Sequence, residues 1–153
     1  MTRFLVIRVR GSNETKHTVE HTLLQMRLSR KHHAVIIDDT PQMKGKLRSA
    51  KDYITWGPAT TESIALLLEK RGEVTGGKQL TNDYLTKNSK FKTIKEFAEA
   101  IANGPAKLSD AKGLKQLFRL APPRKGFGHI KKPLPQGALG PRKEIDSLVK
   151  TMA

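Results

Sequence analysis

The chain has 153 residues, enough for one core of useful size but not for two large independent domains. Its 29 lysines and arginines against 14 acidic residues give a formal net charge of +15, which calls for a polyanionic partner: RNA, DNA or an anionic surface. No apolar run nears the roughly 20 residues of a membrane span, the start lacks a signal-peptide layout, and the absence of cysteine excludes disulfides and thiolate metal sites, so a cytoplasmic protein held by packing fits.

From Met1 to Arg10 the chain reads as a strand, with Leu5, Ile7 and Val9 on one face and Phe4, Val6 and Arg8 on the other, partly wet at one end. After the turn signal Gly11-Ser12-Asn13, the spacing of Val19, Leu23 and Met26 predicts a helix from Thr15 to Leu28. Ala34 to Asp38 is a short apolar run and reads as a buried strand, entered through a turn at His32-His33. Thr40-Pro41 then supplies an N-cap followed by proline at the first helical position. The helix it opens carries Met43, Leu47, Ala50 and Ile54 as a core stripe. Tyr53 to Trp56 is compatible with the close of that helix or with a third strand, ended by Gly57-Pro58. Strand, helix, strand, helix, strand makes a small α/β unit.

The central segment is mostly helical. Ile64, Leu67 and Leu68 mark one helix, broken by Gly72, Gly76 and Gly77, and Thr93-x-x-Glu96 is a capping box ahead of Ile94, Phe97, Ala98 and Ile101. Asn103-Gly104-Pro105 stops that helix. Gly104 to Pro141 then holds six glycines and six prolines, so most of it reads as irregular, apart from the strand-like Leu117-Phe118-Arg119-Leu120. A short helix carrying Ile145, Leu148 and Val149 docks the C-terminus.

The charge is uneven: residues 1–60 carry 11 basic and 5 acidic side chains, 61–106 carry 7 and 6, and 107–153 carry 11 and 3. Five Phe, two Tyr and one Trp are too few for base stacking to supply the main affinity, so contacts to phosphates become the default. On the second helix Lys44, Arg48 and Lys51 fall within an arc of about 60° and form a basic ridge, with Lys46 nearby and Arg10 at the end of the first strand. Gly45 beside the ridge lets a phosphate backbone come close. The alternative is an ordinary solvated helix face, although such faces mix their charge signs. A second patch, Arg124, Lys125, His129, Lys131 and Lys132, sits on a Pro/Gly-rich loop suited to following a nucleic-acid groove, or else to a solvated basic linker. The two patches read as separated, leaving the near-neutral helical segment for packing or protein contact.

Lys125-Gly126-Phe127-Gly128 matches the opening of the RNA-recognition-motif signature, but His129 and Lys131 stand where its aromatics belong. A free RNA-binding regulator resting on Phe127 is the alternative reading. For catalysis, Asp38-Asp39 is the only adjacent carboxylate pair, and Asp39-Thr40-Pro41 is explained by helix capping. His17 and His21 lie one turn apart without a third ligand at a compelling spacing. No catalytic, cofactor or metal site is assigned.

The run Val19-Glu20-His21-Thr22-Leu23, Met26-Arg27-Leu28, His32-His33-Ala34-Val35-Ile36, Asp39-Thr40-Pro41 and Met43-Lys44-Gly45-Lys46-Leu47 resembles the universal L-thirty family of large-subunit ribosomal proteins, in its archaeal form. Bacterial members are similar to residues 1–58 alone. Residues 59–153 resemble the archaeal and eukaryotic extension, marked by Arg119-Leu120-x-Pro122-Pro123-Arg124-x-Gly126. The long basic N-terminal arm of eukaryotic members is missing from the resemblance, so RNA contacts through such an arm are not expected. The resemblance implies a ferredoxin-like βαβαβ core in the α/β (α+β) class, with a helical, loop-rich extension packed on it. It implies no enzyme activity and no cofactor. It also implies a structural place in the 50S subunit, with large-subunit ribosomal RNA and neighbouring ribosomal proteins as partners and 5S RNA close by.

Overall fold

The computed structural model of the protein describes residues 3–13 and 15–153. β1 (Arg3–Arg8), α1 (His17–Gln25), β2 (His33–Asp38), α2 (Pro41–Ser49) and β3 (Ile54–Pro58) form the expected βαβαβ unit. β1 is central and antiparallel to both neighbours, with Val6 opposite Val35 on β2 and Trp56 on β3. Val6 points into a cluster with Leu23, Met26, Leu28, Val35, Leu47, Ala50 and Ile54 beneath α1 and α2. By the period of two, Leu5 and Ile7 point the other way, into the larger core. Both faces of β1 are therefore buried. Arg8, expected at a wet end, is only 1% exposed. The first two residues of the expected strand lie outside the described residues.

α1 is shorter than its periodicity predicts. Arg27 adopts a left-handed conformation (φ 62°), its N–H donates to Leu24 O at 2.8 Å, and the Leu28 N–H reaches back to Leu23 O at 2.8 Å. That pair of hydrogen bonds closes the helix while still burying Met26 and Leu28. α2 opens as expected, the Thr40 hydroxyl accepting the Met43 N–H at 3.3 Å. It ends at Ser49. Ile54, expected on the helical stripe, instead opens β3, so Tyr53–Trp56 resolves in favour of the strand.

The extension adds α3 (Thr61–Arg71), α4 (Asn82–Asn88), α5 (Ile94–Asn103), β4 (Phe118–Arg119), β5 (His129–Pro133), β6 (Gly137–Pro141) and α6 (Asp146–Met152). α5 starts as its capping sequence predicts, with Thr93 Oγ1 accepting the Glu96 N–H at 3.2 Å. The Glu96 carboxylate returns to the Lys92 N–H at 3.2 Å, one residue before the expected partner. Gly104, at φ 96°, ends the helix. α6 buries Leu148, Val149 and Met152.

The three new strands widen the sheet to six, in the order β4-β2-β1-β3-β6-β5. β6 runs parallel to β3, pairing Gly140 with Thr55 and Pro141 with Trp56. Residues 104–141, expected to be mostly irregular, are so for more than half their length. They nevertheless bury Ala106, Leu108, Ala111, Leu114, Phe118 and Leu120 in the main core. α3, α5 and α6 cover the face of the sheet opposite α1 and α2, closing a helix–sheet–helix sandwich.

Candidate nucleic-acid interface

β1 ends where β2 and β3 begin, and the loops at that end of the sheet are tied together by backbone. The Tyr53 carbonyl accepts from the N–H groups of Val9 (2.9 Å) and Arg10 (3.1 Å), and the Arg8 carbonyl accepts from His32 at 2.8 Å. The His32 carbonyl in turn accepts from Leu120 at 3.0 Å. Arg8 reinforces the knot from inside. Its guanidinium donates to the carbonyls of Leu28 (2.6 Å) and Arg10 (2.8 Å) and to the Ser12 hydroxyl (3.2 Å). Burial pushes the Arg8 pKa down, opposed by the charge of Glu20. Such a buried cation is tolerable because carbonyl oxygens surround it.

Around this knot lie most of the expected cations. Arg10 is half-buried, its guanidinium 4.8 Å over the Tyr53 ring and donating to the Asp52 carbonyl at 3.1 Å. Arg48 is exposed near the C-terminal end of α2, and Lys46 is half-buried. Lys51, expected on the helical ridge, lies beyond the helix end in the turn before β3, because α2 stops two residues earlier. Lys44, one turn before Arg48 on α2, is paired with Asp39 at 2.7 Å. Arg124 and Lys125 are exposed in the turn that precedes β5. His129, Lys131 and Lys132, expected on a loop, belong to β5, an edge strand exposed along its whole length. Edge position is where lysine and a terminal Pro133 are tolerated in a strand.

The two patches are not separate poles. The Phe127 ring stacks on His32 with centroids 5.7 Å apart and planes 8° from parallel, which seats the Arg124–Gly128 turn on the same end of the sheet that α2 runs into. Beside His32 and His33 sit Arg30, Lys31 and, through β4, Arg119, all exposed, which the expected site left out. The contiguous Arg30-Lys31 pair was a readable signal. Arg119 had none, because it arrives through the pairing of β4 with β2 opposite His33. The imidazoles of His32 and His33 are both held below their ordinary pKa by burial. Lys31 adds to the effect at His32, and Arg119, Arg30 and Arg8 add to it at His33.

The residues weighed for other chemistry are otherwise occupied. Phe127 is half-buried in a turn, so Lys125–Gly128 does not present an aromatic on a sheet face. Asp38 pairs with Arg3 at 3.1 Å and Asp39 with Lys44. The His17 and His21 rings stack at 6.5 Å, and among the described residues no group of three or more His, Asp or Glu side chains is placed to hold a metal. Clefts of about 760 Å³ beside Phe91 and about 450 Å³ beside Met43 each include a single carboxylate, Asp110 and Asp38, and no histidine. No helix among the described residues is long and apolar enough to cross a membrane.

Residues 4–54, which span the βαβαβ unit as far as the first residue of β3, match the family described as ribosomal protein L30p/L7e. The similarity to curated proteins runs much further. The chain is 44% identical over 151 residues to the large ribosomal subunit protein uL30 of Methanocella arvoryzae, covering 97% of this chain and 99% of that one. The protein of that name from Archaeoglobus fulgidus is 42% identical over 150 residues, with the same coverage of both chains. The Methanobrevibacter smithii protein is 44% identical over 151 residues. With a family match across the βαβαβ unit and relatives this similar from end to end, the chain belongs to the ribosomal protein L30p/L7e family.

Proposed function

We propose that the protein is a structural constituent of the large (50S) ribosomal subunit in the cytoplasm, where it binds ribosomal RNA and stabilises its fold. Binding runs through the basic end of the sheet, Arg10, Lys46, Arg48, Lys51, Arg124, Lys125 and His129, continued by Lys131 and Lys132 along the β5 edge and by Lys44 on α2. One observation carries this. Of those ten residues only Lys44 has an ion-pair partner among the described residues. An exposed lysine gains at most about 1 kcal/mol from an internal salt bridge, whereas each phosphate it neutralises releases counterions to solution. Side chains left unneutralised in the free protein are thus available to a polyanion. No catalytic step or cofactor enters this role. Neighbouring ribosomal proteins are expected against the near-neutral α3–α5 surface, and 5S RNA is expected close by.

Binding to transcribed large-subunit ribosomal RNA should weaken steeply with salt. Six phosphate contacts predict a slope of roughly −4 to −5 in log K against log salt concentration, and a flat response would remove the phosphate mechanism. Sedimentation separates a resident constituent from a transient regulator. The protein is expected to stay with 50S particles through a high-salt gradient, and release at the first wash would favour the regulator.

A further inference from the structure

Phe127 is the one aromatic residue in the basic turn, and everything around it draws it inward. Gly126 and Gly128 on either side both adopt positive φ, 70° and 67°, a conformation that side chains other than glycine rarely take. The chain therefore folds back before and after Phe127, putting that ring inside and leaving Arg124, Lys125 and His129 exposed. The ring touches two buried clusters: the main core and a smaller one of Val9, Ala138 and Leu139. It stacks on His32, whose own backbone is pinned on both sides, its N–H to Arg8 and its carbonyl to Leu120. His32 is flanked by Lys31, and Leu120 by Arg119.

We infer that Phe127 is a positioning residue for RNA binding: its stack on His32 joins the Arg124–Lys125 turn to Arg30, Lys31 and Arg119 and so makes one pre-ordered cationic surface. This rests on the RNA-binding reading above, and adds a division of labour within it. Phe127 contacts no RNA. Its contribution is that the turn does not have to be ordered at the moment of binding, a cost of the kind that weakens a flexible binder without removing any of its contacts. The lowered pKa of His32 agrees with a neutral ring packed against Phe127.

The test uses the full chain and transcribed large-subunit ribosomal RNA, with wild-type affinity and salt slope measured first. A wild type without salt-dependent binding would fail the RNA reading itself, whatever the variants do. Given that binding, Phe127→Ala and His32→Ala should each weaken it about tenfold, the order of magnitude of re-ordering a residue or two of backbone. The double variant should be no weaker than either single one, because both break the same stack. Phe127→Leu fills the same apolar contact and should stay within about threefold of wild type. Arg124→Ala should cost less affinity in the Phe127→Ala background than in the wild type, an effect that general loosening of the core would not produce. Additive single effects, or a His32→Ala variant that binds normally, overturn the proposal. Phe127→Leu as weak as Phe127→Ala beside a normal His32→Ala would mean that the ring stacks on a base, and overturns it as well. Trp56 fluorescence confirms that each variant is folded before its affinity is read.

Discussion

His32 and His33 sit where the chain passes from a left-handed residue into β2: His32 has φ 63° and His33 is 8% exposed. Burial, helped by the cations around them, makes both resist protonation in the folded protein. In the unfolded chain they take up protons near the ordinary imidazole value of about 6.5. Just below that pH the unfolded state therefore binds more protons than the folded one, so stability drops as the pH is lowered through this window and levels off below the folded values. The urea midpoint should be lower at pH 5.5 than at pH 7.5, and the His32→Asn/His33→Asn double variant should show a flatter profile. Glu73, whose pKa is lowered chiefly by its hydrogen bond from Lys115, adds its own loss only in the carboxylate range below this window. Equal midpoints at the two pH values would contradict the assignment. These two histidines read from sequence as the entrance to a strand, which they are. Their electrostatic setting was not legible there, since Arg119 and Arg8 reach them only through strand pairing.

At the scale of the element, α2 gives up local stability at one position. Gly45 lies inside the helix on an exposed face, and a Cβ placed there would meet nothing within 4 Å. Gly45→Ala should therefore stabilise the free protein by about 1 kcal/mol, the difference in helix propensity, measurable by urea unfolding. If a phosphate backbone lies against that face, the same methyl group should weaken RNA binding. Raised stability with unchanged affinity would remove the close approach at Gly45. Helices whose signals lie within a dozen residues were legible in this way: α5 has its cap at Thr93, its stripe at Phe97, Ala98 and Ile101, and its stop at Gly104. α4 was not, because seven residues with only Leu85 buried make no stripe, although Thr81 caps it as Thr93 caps α5. β6 was hidden for a different reason. It is a Gly- and Pro-containing segment made a strand by a neighbour some 85 residues away, and no local pattern carries that information.

At the scale of the whole molecule, the family match stops at residue 54, yet the main core runs across that point. Leu5, Ile7 and Ala34 of the first segment share a buried cluster with Ile64, Leu67 and Leu68 of α3, Phe97 and Ile101 of α5, and Val149 and Met152 of α6. Removing the extension would expose that face of the sheet, which argues for one cooperative unit. Trp56 makes this testable, because it is the only tryptophan and packs with the opposite cluster, beneath α1 and α2. Leu67 is fully buried on α3, and Leu67→Ala should cost about 2–5 kcal/mol through lost burial and the cavity left behind. In one cooperative unit that loss is felt by Trp56 across the sheet. Its fluorescence midpoint should move to lower urea together with the far-ultraviolet helix signal, the two curves remaining coincident. Two independent domains would behave otherwise, with the helix signal splitting into two steps and the Trp56 midpoint staying at its wild-type value.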